Sequence, residues 1–157
     1  MNKQLKHEVT PLGMLNNAKV WYVLYRQNIY LGTHHKIIAI YCLLISFEMF
    51  LKSYLIYLNK MEYSCDSNLE KLGHKFGNIV KAIKKEKDAR LSPRIDSLIK
   101  KYDLMSIDTN NLRYPRKGDE FLIHAGYLSP HNEFDELLDA IGGEVSGGIV
   151  DKFYDET

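Results

Sequence analysis

The chain has 157 residues, of which 45% are apolar and 26% charged, so it can build one domain with a core and is not disordered by composition. A formal net charge of +1 excludes a simple polycation, and two cysteines exclude a disulfide scaffold and a four-thiolate zinc site. The charge is uneven, because residues 118–157 hold one Lys against ten Asp and Glu, whereas the rest of the chain is net basic. Two interpretations stay open: charge balance within the molecule, or a basic surface for a polyanion.

The first half of the chain predicts an arm followed by two helices. Residues 1–15 keep no sustained period and contain Pro11 and Gly13, so we expect an N-terminal arm there. Apolar positions at helical spacing predict a first helix over residues 16–30. Residues 33–59 predict a second helix that is apolar over most of its circumference, which is typical of a helix buried from more than one direction.

The second helix is long enough to raise the question of a membrane span. Glu48 and Lys52 lie inside it, and an ionisable group at mid-bilayer costs about 2.5–3.5 kcal/mol. We therefore expect the central helix of a soluble, cytoplasmic protein with reduced thiols and no membrane contact.

The second half predicts shorter helices. Residues 59–68 are expected to form a polar loop, and a third helix is expected from residues 66–68 to about residue 90. A fourth helix starts at Ser92-Pro93, and a last one runs from residue 129 or 132 to Ile141, where Gly142-Gly143 stops it. No segment alternates like a strand, so the chain is predicted to be all-α. The domain covers residues 16–141, and residues 142–157 form a flexible acidic tail.

Three pieces of sequence carry a resemblance to a known family. Glu48 and Lys52 are four residues apart in the long helix, Leu72-Gly73-His74-Lys75-Phe76 follows after a loop, and Leu112-Arg113-Tyr114-Pro115 follows a further helix. In this order they resemble the HEPN domain family. The resemblance implies a four- to five-helix up-and-down bundle that commonly dimerises. It also implies either a ribonuclease or a non-catalytic module that associates with nucleotides or RNA.

The family's ribonucleases carry an Arg, then four to six residues, then a His. Here Arg26 with His34, and Arg116 with His124, each enclose seven residues, so neither pair fits that motif. The spacing favours a non-catalytic module that binds nucleotide or RNA. The alternative is a metal-independent endoribonuclease of the toxin or defence type, with His124 as general acid–base and Arg116 on the phosphate.

Each candidate binding residue has a structural and a functional interpretation. Glu48 and Lys52 predict an ion pair that fixes helix register, or a lysine that faces a phosphate. His74, near a helix start, predicts a loop-fixing hydrogen bond or a ligand contact where backbone N–H groups bind anions. Arg113, in a loop stiffened by Pro115 after Tyr114, predicts a structural contact with Glu48 or a bound phosphate. The candidate ligand-binding residues are Lys52, His74, Arg113 and Tyr114.

Two wider patterns have the same ambiguity. A basic run around the third and fourth helices is typical of a solvated face, or of phosphate contact; it comprises Lys81, Lys84, Lys85, Lys87, Arg90, Arg94, Lys100 and Lys101. A tyrosine stripe favours core or dimer surface over base stacking; it comprises Tyr22, Tyr25, Tyr30, Tyr41, Tyr54 and Tyr57.

No metal or cofactor is expected. The adjacent residues His34-His35 do not have the spacing of metal ligands. The glycine pairs are not followed by the Lys-Ser/Thr of a phosphate-binding loop. The expected partners are a second copy of the chain, a nucleotide or RNA, and a partner protein of a toxin–antitoxin or defence system.

Overall fold

The structure is a computed structural model that describes residues 8–110 and 132–147. The described part is mostly helical, and outside the helices it contains two isolated antiparallel bridges, Glu8 with Cys65 and Lys75 with Asp108. The all-α prediction is therefore confirmed. In chain order the helices are α1 (Pro11–Asn28), α2 (Thr33–Leu58), α3 (Lys60–Tyr63), α4 (Asp66–Leu72), α5 (Phe76–Lys84), α6 (Ser92–Lys101) and α7 (Glu133–Val145).

The central element is α2, as its apolar circumference predicts. Helix α1 packs along it as the other half of a hairpin, and α5 and α7 pack against its other sides. The ring of Phe47 on α2 contacts Phe76 of α5 and Phe134 of α7, with centroids 5.4 and 5.3 Å apart. Such aromatic pairs contribute about 0.5–1.5 kcal/mol each beyond the burial of their area. Three helices thus meet at one buried ring.

One helix among the described residues is long and apolar enough to cross a membrane. It is His35–Leu58, with a hydropathy of 1.6, and 72% of its most apolar window is buried inside the bundle. Core helices of soluble proteins can be equally long and apolar, so the length and composition of this segment are weak evidence for a membrane span.

The N-terminal arm is shorter than predicted, because α1 begins at Pro11 rather than at residue 16. The side chain of Thr10 accepts a hydrogen bond of 3.0 Å from the backbone N–H of Gly13, and Pro11 occupies the first helical position. Leu15, assigned to the arm, is buried in the core. The proline that looked like a breaker is a helix start.

The predicted third helix is divided, and the predicted polar loop before it is not a loop. Residues 60–63 form the short helix α3, whose start is capped by the side chain of Asn59. Helix α4 ends at Gly73, which has a φ of 68°, a left-handed conformation that favours glycine. The chain then re-enters a helix at Phe76 as α5.

The last helix is longer than predicted, because Gly142-Gly143 does not stop it. Helix α7 continues to Val145, since Ile141 and Val145 extend its buried apolar face. The turn that follows contains Gly147, with a φ of 69°. The boundary of the acidic tail at residue 142 is therefore wrong. Residues 148–157 lie outside the described part.

The start of α7 is fastened to α1 by a polar cluster. Asn132 and Asp135 form a capping box, and the Asn132 amide also donates to the Tyr25 hydroxyl at 2.9 Å. The Tyr22 hydroxyl donates to Asp135, and the Arg26 guanidinium lies 4.0 Å from the same carboxylate. Burial, together with the charge of Asp135, raises the pKa of Tyr25 to about 12. This cluster holds the start of α7 against α1.

At the start of α5, backbone carbonyls rather than a side-chain cap accept hydrogen bonds from the first backbone N–H groups. The N–H of Phe76 donates to the carbonyl of Ile107, and that of Gly77 donates to the carbonyl of Met105, both at 3.0 Å. A Cβ at residue 77 would lie 2.7 Å from the Met105 oxygen, so only glycine allows this approach. The segment after α6 is thereby held against the start of α5.

We expect Gly77→Ala to lower the free energy of unfolding by about 1–3 kcal/mol, because the new methyl group collides with the backbone oxygen of Met105. The matched control is Gly143→Ala in α7, where a Cβ meets no atom within 4 Å and the helix gains propensity. Urea denaturation of both variants measures the difference. Equal effects of the two substitutions would contradict this close approach.

Candidate functional site

The site is organised around a buried carboxylate on α2. Glu48 is 4% exposed, and Lys52, one turn further along the same helix, is 7% exposed. The Lys52 Nζ atom lies 2.7 Å from the Glu48 Oε1 atom. The two charges therefore meet in the core, where an ion pair is little screened by solvent. The burial and contact of Lys52 correspond to the ion-pair interpretation of the spacing.

Two further donors reach Glu48 from outside α2. The Nδ1 atom of His74, in the link between α4 and α5, lies 2.8 Å from Oε1. The hydroxyl of Thr109 donates to Oε2. Thr109 is held in place by its own backbone, because its N–H donates to the carbonyl of His74 at 3.2 Å. Three segments distant in sequence thus converge on one side chain.

The protonation pattern of this cluster follows from its contacts. With the Lys52 ammonium and the Thr109 hydroxyl both donating to it, Glu48 is the ionised carboxylate and can only accept. The contacting Nδ1 atom of His74 therefore carries a proton. In a neutral imidazole the other nitrogen, Nε2, then keeps its lone pair. The His74 side chain is 43% exposed, so this second nitrogen is within reach of solvent or ligand.

The anion-binding interpretation of His74 does not fit the backbone around it. It requires free N–H groups at the helix start. At α5 the N–H groups of Phe76 and Gly77 donate to the carbonyls of the segment after α6, and those of Asn78 and Ile79 donate to Lys75. No anion needs to satisfy these donors among the described residues. The contact of His74 with Glu48 corresponds to its loop-fixing interpretation.

A cavity of about 380 Å³ opens beside the cluster. One part of its wall is aromatic and aliphatic, and the other part carries the polar atoms of the Glu48 cluster. It is lined by Trp21, Tyr41, Ile45, Glu48, Met49, His74, Thr109 and Asn110. An apolar wall with a few convergent polar groups is the usual make-up of a small-molecule site.

Four predicted site residues lie outside the described residues. They are Arg113, Tyr114, Arg116 and His124. Glu48 has Lys52, His74 and Thr109 as partners in the described part of the chain. The predicted contact between Glu48 and Arg113 therefore stays a prediction.

The basic run is partly neutralised within the bundle. Lys84 and Lys100 both pair with Asp96, at 2.6 and 2.8 Å. Lys101 pairs with Glu133, and Arg90 lies 3.5 Å from Glu144. The last two acidic residues belong to α7, so the acidic part of the chain balances the basic part within one molecule at these points.

Sequence reasoning missed most of the cavity wall. Tyr41 was grouped with a general tyrosine stripe, of which Tyr22, Tyr25 and Tyr54 are core residues. Trp21 falls within the predicted first helix without being a candidate site residue, and Thr109 lies in no predicted helix. Nothing in the local sequence of Thr109 signals a contact with Glu48, because the two residues are 61 positions apart.

Comparisons with known proteins add no identification. No family model, no curated protein and no solved structure matches the chain.

We expect Lys52→Met to lower the free energy of unfolding by about 3 kcal/mol or more, because it leaves the buried Glu48 charge without its cationic partner. The matched control is Lys100→Met, which breaks the surface ion pair with Asp96, four residues earlier in the chain. This variant should lower the free energy of unfolding by less than about 1 kcal/mol. Chemical denaturation at neutral pH measures both. A loss for Lys52→Met as small as that of the control would contradict the buried ion pair.

Proposed function

We propose that this protein is a non-catalytic helical module that binds a nucleotide or RNA by taking a nucleobase into the cavity beside Glu48. The observation that carries the proposal is the cavity itself. Trp21 and Tyr41 offer aromatic surface for stacking, and three residues with polar side chains, Glu48, His74 and Thr109, line the same cavity. A nucleobase has the matching combination of a flat apolar face and a hydrogen-bonding edge.

The phosphate would lie outside this cavity. The polar end of the cavity is formed around a carboxylate, which repels an anion. Lys75 is exposed next to His74 in the chain, and Lys81 and Lys85 are exposed on and just after α5. These lysines are the groups that we assign to phosphate contact, and the resulting affinity should fall with salt.

We further propose that the bundle is HEPN-like. Support comes from the three pieces of sequence that resemble the family, of which two are described. Glu48 and Lys52 share the long second helix, and His74 follows Gly73 in the link between α4 and α5 and contacts Glu48. Binding without cleavage accords with an Arg–His spacing that does not fit the family's ribonucleases. We place the protein in the cytoplasm, where the thiols of Cys42 and Cys65 stay reduced.

The proposal has a direct test, because Trp21 lines the cavity and is the single tryptophan of the chain. Its fluorescence should change saturably when nucleoside monophosphates or short single-stranded RNA are added without divalent metal. Tyr41→Ala should weaken the affinity by roughly tenfold, since base stacking on an aromatic ring contributes about 1–3 kcal/mol. Tyr57→Ala, which changes an exposed ring outside the cavity wall, is the control and should leave the affinity unchanged.

Two results would contradict the proposal in different ways. An unchanged fluorescence up to millimolar nucleotide and RNA would exclude base binding at Trp21. Discrete RNA fragments on a denaturing gel, absent with His124→Ala, would replace the binding module by the endoribonuclease.

We also propose that the protein is a homodimer. The α1–α2 hairpin leaves a set of large apolar side chains 37–60% exposed: Val20, Val23, Leu24, Tyr30, Leu31, Ile37 and Ile38. Exposed apolar clusters of this kind mark interaction surfaces more often than free surface.

Sedimentation equilibrium at micromolar concentration should show a dimer for the wild type and a monomer for Leu24→Glu, because the new charge would be buried in the interface. Met61→Glu is the control, since Met61 is 97% exposed and lies outside the hairpin surface. A monomeric wild type would contradict the dimer and would leave the surface for a partner protein.

A further inference from the structure

We propose that the cavity selects nucleobases that carry an exocyclic amino group over bases that lack one. This inference rests on the proposed function, since it concerns which base the same cavity takes. It follows from the hydrogen-bonding capacity that the Glu48 cluster leaves unused. Two of the polar residues that line the cavity, His74 and Thr109, give their protons to Glu48 and can still accept further hydrogen bonds.

Thr109 is the first of these acceptors. A hydroxyl has one proton to donate and two lone pairs that accept. The proton of the Thr109 hydroxyl is given to the Oε2 atom of Glu48. Towards a ligand in the cavity this hydroxyl is therefore an acceptor.

His74 is the second. Its Nδ1 proton is held by the Oε1 atom of Glu48 at 2.8 Å, so the neutral ring has its lone pair at Nε2. Burial of the carboxylate fixes this tautomer, because a ring that turned its lone pair towards Glu48 would place two acceptors in contact. The half-exposed position of the ring leaves its second nitrogen for a ligand.

Glu48 itself is the third. An ionised carboxylate offers about four acceptor positions and no proton. Three positions are used, by Lys52, His74 and Thr109. The remaining lone pair belongs to Oε2, which has Thr109 as its donor among the described residues. Glu48, His74 and Thr109 thus contribute three kinds of acceptor to the wall of the cavity, beside the amide of Asn110.

An acceptor-rich end binds donors. The amino groups of guanine and adenine project two N–H donors from the base edge, whereas hypoxanthine and unsubstituted purine lack the respective amino group. A base without it would cover an acceptor of the cavity wall without pairing it, which costs more than the net gain of an average hydrogen bond. Sites built to hydrogen-bond one group reject the analogue that lacks it far better than apolar pockets do.

The test compares matched nucleotides by Trp21 fluorescence at pH 8. GMP should bind about tenfold or more tightly than IMP, which differs by the 2-amino group alone. AMP should likewise bind more tightly than purine riboside monophosphate, which lacks the amino group of AMP. Equal affinities within each pair would overturn the selection and leave the proposed function standing. Absence of binding by all four nucleotides would overturn the proposed function and this inference with it.

A variant of His74 tests whether this residue accepts the hydrogen bond from the amino group of the base. His74→Phe keeps a ring at the cavity but removes the Nε2 lone pair, so the ratio of GMP affinity to IMP affinity should fall towards one. His35→Phe, which changes an exposed histidine outside the cavity wall, should keep the full preference. An undiminished preference in His74→Phe would overturn the role of His74. Should that variant fail to fold, as a thermal melt would show, the wild-type pairs decide the proposal.

Discussion

The rest of the site depends on the hydrogen bonds and the ion pair that the buried carboxylate of Glu48 makes. A charge that is 4% exposed is tolerated only when donors surround it, and α2 itself supplies only one of them, Lys52. The other two come from the link between α4 and α5 and from the segment after α6. Satisfying one side chain therefore fixes how three segments approach each other.

Contacts at the start of α5 and at the start of α7 support that arrangement. The backbone of the segment after α6 closes the start of α5, and the absence of a side chain at Gly77 lets the two segments come close. In addition, Asn132 and Asp135 of the α7 capping box hydrogen-bond to Tyr25 and Tyr22 and join α7 to α1. The cavity is lined by Trp21 of α1, by Tyr41 of α2, and by His74 and Thr109 of the two segments that contact Glu48. Glu48, His74 and Thr109 thus both join these segments and line the cavity.

Hydropathy periodicity was sufficient for the elements whose stability comes from burial. The bounds of α2 and its central position follow from apolar residues around its whole circumference, and the four-residue spacing of Glu48 and Lys52 places the two on one face. Helix ends were less predictable, because they depend on single contacts. Thr10 caps α1 before a proline that resembles a breaker, and Gly142-Gly143 stays helical because Ile141 and Val145 remain buried.

The cavity could be predicted only in part. His74 stood out as a histidine beside a helix start, but its partner on α2 and the closed backbone around it are tertiary facts. Thr109 approaches Glu48 across 61 residues, and no local pattern encodes a contact of that range.

Native-state hydrogen exchange in the Glu48→Gln variant tests the central claim most directly. If the Glu48 carboxylate holds the segments together, the amides of Phe76, Gly77 and Thr109 should lose protection, because their acceptors lie on the segments that it joins. The amides of Tyr22 and Tyr25 in α1 should keep theirs. Unchanged protection at residues 76, 77 and 109 would show that packing alone maintains the site and would contradict the account.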